Sequence, residues 1–324
     1  MIAMTCRTFV AALALAAALP AAGAEGYPTR PIRMIIPASP GSGSDFFGRT
    51  VAQGLSDIYR QQVVADNRTG AGGLIGAELI AGASPDGYTI GVAATSLVVW
   101  PLMQAKPRYN PLKDFAPIAL MASIPSVVVV APGLPVKTVK DLVALAKAKP
   151  GELNFASIGI GTAAHLSGEI FNHAAGIKAV HVPFKTIADS YTEVFASRVH
   201  YVVYVTPAAM PMLREGKARA LAVTGAARSP MLPDVPTVAE AGLPGAQVDS
   251  MFGLAAPAGT PKAIVQQLNT DIVAVLRRPE TKKRFETQTA EPAVDTTPET
   301  YARQLRAEYE RYRKLFADIG MKPQ

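Results

Sequence analysis

The chain has 324 residues, a formal net charge of +7, about half hydrophobic residues and one cysteine. That length can bury a full core, and more readily two, while the lone Cys6 excludes internal disulfides and cysteine-ligated metals. No dense Lys/Arg stripe interleaved with aromatics is present, which argues against nucleic acid and leaves a basic surface suited to anionic solutes.

The chain opens with a pattern expected of an export signal over residues 1–24. Arg7 precedes the apolar run Phe9 to Leu19, and Ala22-Gly23-Ala24 offers cleavage after Ala24 or Ala22. The run is too short for a permanent membrane anchor. The mature chain is therefore expected to leave the cytoplasm, and Cys6 goes with the signal.

Ile32 and Met34 to Ile36 predict a buried strand ended by Pro37 and Pro40. The loop that follows carries Ser39, Gly41, Ser42, Gly43 and Ser44, and Asp45 then precedes the helical apolar positions Phe46, Phe47, Val51 and Leu55. Two readings stand: an anion seat, in which backbone N–H groups face outward beside the serines, or an ordinary strand-to-helix turn capped by Ser44 or Asp45. Gln62 to Ala65 predicts a strand, followed by a glycine run and a helix through Ile80. Ile75 occupies the last glycine position of G-x-G-x-x-G counted from Gly70, so no nucleotide cofactor is expected. Tyr88 to Ala93 is a strand whose end presents Thr95 and Ser96, either as ligand donors or as simple caps. Trp100 either lines a cleft or plugs the core.

Pro117 to Ala122 and Ser126 to Ala131 read as two apolar runs separated by Ser123-Ile124-Pro125. The second holds four consecutive valines, as a strand covered on both faces would. A first crossing between lobes is placed here. After the helix Val139 to Lys147 and the strand Leu153 to Ala156, the opening theme returns: Ser157-Ile158-Gly159-Ile160-Gly161-Thr162 precedes the helix Ala163 to His173. Two such loops facing each other across a cleft would hold two negative groups. His165 and Glu169 lie one turn apart, but spacing sets no third metal ligand, and Ser167 lacks the setting of a nucleophile. His165 is expected to serve packing or a polar network.

Strands and helices keep alternating through Val180 to Lys185, Asp189 to Phe195, Val199 to Val205, Met210 to Leu213 and Ala218 to Val223. Val248 to Leu254 is the expected return crossing. Tyr301, Leu305, Tyr309, Tyr312, Leu315 and Phe316 recur at helical spacing, an aromatic stripe of the kind that packs a core. The expected fold class is α/β, with mostly parallel sheets flanked by helices: residues 25–123 and 251–324 form a discontinuous first lobe, and 124–250 a second.

Together, YPTRPIRMIIPASPGSGSD, NRTGAGGLIGAELIAGASPDGYTI, YNPLKDFAPIALMAS, KPGELNFASIGIGTAAHLSGEIF, VHVPFK, ALAVTGAARSPMLPDVPTVAEAGLPG and FGLAAPAGTPKAIVQQLN resemble the Bug or TctC family of periplasmic solute receptors. The resemblance spans the mature chain and implies a two-lobed periplasmic-binding-protein ("Venus flytrap") fold. It further implies a monomeric, non-enzymatic receptor without cofactor or metal, which binds small organic acids through backbone amides and ordered waters in paired loops. Many members serve tripartite tricarboxylate transporters, so transient contact with inner-membrane subunits is expected. By position, one seat is Ser39 to Asp45 with Thr95 and Ser96, and the facing seat is Ser157, Gly161 and Thr162 with His165. The chain departs from the common pattern at Ser42, Thr186, His200 and Met251, and at Tyr204, where many members carry Asp near the cleft. Without that carboxylate the resemblance implies an amine-free ligand, a dicarboxylate or aromatic carboxylate, whose body packs against Tyr204 and against Phe46 or Trp100. Two other roles are consistent with the pattern: a binding protein presenting its liganded form to a membrane sensor, and an exported hydrolase or transferase.

Overall fold

A computed structural model describes residues 26–321 and 323; the export signal read over residues 1–24 lies outside them. The elements run β1 (Ile32–Ile36), α1 (Gly43–Tyr59), β2 (Val63–Asn67), α2 (Leu74–Ala81), β3 (Thr89–Ala94), α3 (Thr95–Val99), β4 (Phe115–Val130), α4 (Val139–Ala148), β5 (Asn154–Ser157) and α5 (Ala163–Ala175). They continue with β6 (Val180–Pro183), α6 (Ile187–Phe195), β7 (Tyr201–Val205), α7 (Thr206–Arg214), β8 (Arg219–Val223), β9 (Asp249–Pro257), α8 (Lys262–Leu276), α9 (Pro279–Glu286), β10 (Glu291–Pro292) and α10 (Pro298–Asp318).

The strands join in the order β2-β1-β3-β9-β4-β7-β5-β6, with β8 and β10 also pairing β4. β1 is parallel to β2 and β3, and β5 is parallel to β6 and β7. The middle is antiparallel, because β4 leaves the first half of the sheet and β9 returns to it. The sheet is therefore mixed where mostly parallel sheets were expected, and the two crossing strands are the cause.

β4 also corrects the expectation of two separate apolar runs. It is one strand of 16 residues that passes through Pro117 and Pro125 unbroken. Phe115 to Pro125 pairs with β9, and Ser126 to Val130 pairs with β7. Pro125 thus falls where the partner changes, so its missing N–H removes no bond from the middle of a ladder. Val127 to Val130 are fully buried, with alternate side chains entering different cores.

Each half of the sheet has a core on each face. In the first half, Ile32, Met34 and Ile36 pack with α1 and α8, while Ile35 packs with α2, α3 and α10. In the second, Val128 and Phe155 pack with α4 and α5, and Val127 and Tyr204 with α6 and α7. Helix α10 is capped by Thr297, whose hydroxyl accepts the Thr300 N–H, and it buries Tyr301, Leu305, Tyr312, Leu315 and Phe316 along one stripe. The Tyr301 hydroxyl donates to the Ala93 carbonyl at 2.6 Å, which seats the helix on β3.

Candidate functional site

The order β2-β1-β3 sets the C-terminal ends of three strands side by side, where open α/β sheets bind ligands. The loop from β1 to α1 lies at this edge. Ser42, not Ser44 or Asp45, is the N-cap of α1: its hydroxyl accepts the Asp45 N–H at 3.3 Å. Gly41 takes φ +81° and donates its N–H to Asp45 Oδ2 at 2.9 Å. The other carboxylate oxygen accepts the Asn67 amide at 2.9 Å and Arg49 Nε at 2.7 Å. Asp45 is only 6% exposed. Burial disfavours its charge, yet the Gly41 N–H, Asn67 and Arg49 together hold the carboxyl below its usual range. Asn67, at the end of β2, also donates to the Ala38 carbonyl at 2.9 Å, so both ends of the loop are tied down.

The loop from β5 to α5 is built by the same device. Thr162 is the N-cap, and its hydroxyl accepts the His165 N–H at 3.4 Å while donating to the Gly159 carbonyl at 2.7 Å. Gly161 takes φ +77° and donates its N–H to His165 Nδ1 at 3.1 Å. In both loops a glycine in the left-handed region precedes a hydroxyl N-cap. The residue three places after the cap turns back to accept the glycine N–H. This varies the usual capping box, whose third residue accepts the N-cap's own N–H. The cap hydroxyls are occupied by the helices, so the groups each loop offers outward are first-turn N–H groups: Gly43 and Ser44 in one, Ala163 and Ala164 in the other.

The acceptors differ in charge. His165 is 3% exposed, and burial, with His181 beside it, lowers its pKa to about 4. It is a neutral acceptor whose proton sits on Nε2, which faces Glu169 at 3.7 Å. Ser157 is fully buried, accepts the Gly159 N–H at 3.0 Å and contacts His181 Nε2 at 2.6 Å. Its hydroxyl thus braces the loop from within. The second loop carries no formal charge, and in the first the charge of Asp45 is countered by Arg49.

The segment after α3 lies between the loop that follows β2 and the loop from β5 to α5. The Trp100 indole N–H donates to the Gly72 carbonyl at 2.7 Å, and a Cβ on Gly161 would stand 3.1 Å from Met103 Sδ and 3.4 Å from the Trp100 ring. Ser96 is partly exposed near Gly73, whereas the Thr95 hydroxyl accepts the Met251 N–H at 3.0 Å and so anchors β9. Ser39 is exposed at the outer edge of the first loop. Tyr204 departs from expectation: it is 1% exposed, its hydroxyl donates to the buried Ser190 at 2.7 Å, and its ring lies in the core under α6 and α7. Phe46 likewise packs beside Phe285 and beneath Arg284. Sequence reading missed Asn67 and His181 as loop braces. Asn67 was open to discovery from its place at the end of a predicted neighbouring strand; His181 carried no such signal.

A cavity of ≈ 290 Å³ lies elsewhere, where β4 and β9 cross, and is lined among others by Ser123, Thr224, Asp249, Glu308 and Arg311. Neither of the two helix-terminal loops contributes to it. Arg311 donates to the Gln247 carbonyl and lies 3.8 Å from Glu308, joining α10 to the return crossing. Burial raises the pKa of Asp249 and Glu308, and Arg311 opposes the rise in both.

A strand-exchanging α/β sheet in which the parallel strands of the two halves run in opposite directions, each half carrying a helix-terminal loop at its strand C-terminal ends, is the architecture of the periplasmic binding proteins. The chain has a TM-score of 0.79 and 35% identity to an R. palustris protein solved with adipate, covering 92% of this chain and 100% of that one. It has a TM-score of 0.76 and 29% identity to MatC of Rhodopseudomonas palustris with bound malate, covering 89% and 99%. Among curated proteins it is 34% identical to BugT of Bordetella pertussis, across 90% of this chain and 89% of that protein. The model of the tripartite tricarboxylate transporter family receptors, TctC, matches residues 47–321, and the chain belongs to this family.

Proposed function

We propose that the protein is a periplasmic receptor that closes on a small, amine-free organic carboxylate and delivers it to a tripartite tricarboxylate-type transporter. The observation that supports this reading is the paired device Gly41-Ser42-x-x-Asp45 and Gly161-Thr162-x-x-His165, which leaves first-turn N–H groups without a helical partner at a helix start in each half of the sheet. Each such helix terminus favours a negative group by roughly 0.3 to 1 kcal/mol through its dipole, and direct N–H bonds add to this. Two of them suit a dicarboxylate. The bound adipate and malate of the two R. palustris relatives fit the same chemistry.

An amino-acid ligand would bring an ammonium group that needs an acceptor once the cleft closes. Asp45 is the carboxylate built into the loops, and its oxygens already accept from Gly41, Asn67 and Arg49. Amine-free acids are therefore preferred, with the first-turn N–H groups of Gly43, Ser44, Ala163 and Ala164 nearest the bound oxygens and Ser39 and Ser96 beside them, directly or through water. Calorimetric titration of ligand-stripped protein tests this. The expected result is tight binding of succinate, malate or adipate and weak binding of aspartate and glutamate; the reverse preference contradicts it.

A further inference from the structure

Trp100 is the only tryptophan of the chain and begins the tight 3-10 turn Trp100–Met103 at the cleft end of β3 and α3. Its place is set by the backbone of residue 72: a Cβ there would lie 1.9 Å from the ring carbon Cζ2, so the indole fits only over a glycine. The N–H bond to the Gly72 carbonyl then fixes the orientation of the ring. The same ring edge and the Met103 sulfur stand beside Gly161, in the loop contributed by the other half of the sheet, where an added Cβ would lie 3.4 and 3.1 Å from them. An indole fixed against the first half of the sheet thus comes close to the loop contributed by the other half. Ile158 and Ile160 are 38% and 51% exposed on that second loop and extend the apolar surface there. Apolar groups exposed beside ion-binding loops are stabilised when a ligand's carbon skeleton covers them.

We propose that Trp100, together with Met103, is a specificity-determining residue of the cleft: the indole, fixed over the loop after β2 and standing beside the second seat, is a bar that packs against the ligand's carbon chain and limits its length. The assignment rests on the carboxylate reading above. A tryptophan has only two side-chain torsions, and here its polar end is already bonded, so little ordering remains to be done on binding. An acid whose carboxyl groups reach both seats while its chain clears the indole is accepted, and a longer one is excluded by the ring.

The test is calorimetry of the ligand-stripped mature protein with succinate, adipate, suberate and terephthalate, repeated on Trp100→Phe and Trp100→Ala, with circular dichroism to verify folding. Trp100→Ala is expected to shift the preference toward the longer or wider acids by about tenfold or more, the scale at which pocket shape discriminates hydrocarbon. Trp100→Phe, which keeps a ring and loses the bond to Gly72, should shift it part of the way. In the unaltered protein the single-tryptophan emission should change on saturation with the preferred acid. Weakening of every acid by one common factor in both variants, or an unchanged emission at saturation, would overturn the assignment. Binding of none of the acids to the unaltered protein would overturn the carboxylate reading itself, and the role of Trp100 with it.

Discussion

At the residue scale the two loops depend on atoms that have no freedom to change. Gly161 combines a left-handed backbone with a close approach to Met103, so a branched side chain there is strained twice, once by φ and once by contact. Gly161→Val is expected to remain folded and to lose ligand binding by at least about tenfold in calorimetry, because the loop must move away from the facing segment. His165 makes the second loop dependent on pH. Its pKa is about 4 in the folded chain, below the ordinary 6.5, because burial and His181 disfavour the charge. The unfolded chain therefore takes up the proton first. Stability from this group is fully present above pH 6.5 and falls as pH drops toward 4, by up to roughly 3 kcal/mol. His165→Asn keeps an acceptor for the Gly161 N–H and removes the titration. Urea unfolding of both proteins between pH 7 and 4 should show the variant losing less stability; parallel pH profiles would count against the buried neutral histidine.

At the scale of elements, α10 is the tie between the first half of the sheet and the return crossing. Arg311 lies beside Glu308, holds the Gln247 carbonyl and favours the charged form of both Glu308 and Asp249. Arg311→Ala leaves two partly buried carboxylates without a cation, an expected loss of about 1 to 3 kcal/mol after allowance for solvent screening. Thermal unfolding at neutral pH would detect it, and recovery of part of the loss at mildly acidic pH, where the carboxylates take up protons, would assign it to charge. The aromatic stripe of α10 and the four valines of β4 were legible because helical and strand periodicities place those side chains without knowledge of the partner. The continuity of β4 was not. Pro125 reads as a strand breaker until it is known that the ladder changes partner at that residue. Tyr204 was misplaced for a related reason: alternation puts it opposite Tyr201 and Val203 on the sheet, but only the packing of α6, with Ser190 beneath the hydroxyl, decides that its face is closed.

For the whole molecule, the recurrence of a Gly/Ser/Thr loop before a helix was visible in the chain, and one such loop precedes α1 in the first half of the sheet and another α5 in the second. Its inner logic was hidden, since Asp45 and His165 look like unrelated residues until each is seen accepting the N–H of the glycine four places earlier. That shared geometry leads to the central claim, that carboxylate oxygens are held by first-turn backbone N–H groups of α1 and α5 together. Amide proton and nitrogen shifts of deuterated, ligand-stripped protein, followed during titration with succinate or adipate, test it most directly. Large downfield proton shifts at Gly43 or Ser44 and, at the same ligand concentration, at Ala163 or Ala164 are the predicted result. Saturation with shifts confined to one helix terminus, or gathered instead around Asp249 and Arg311 at the crossing strands, would contradict it.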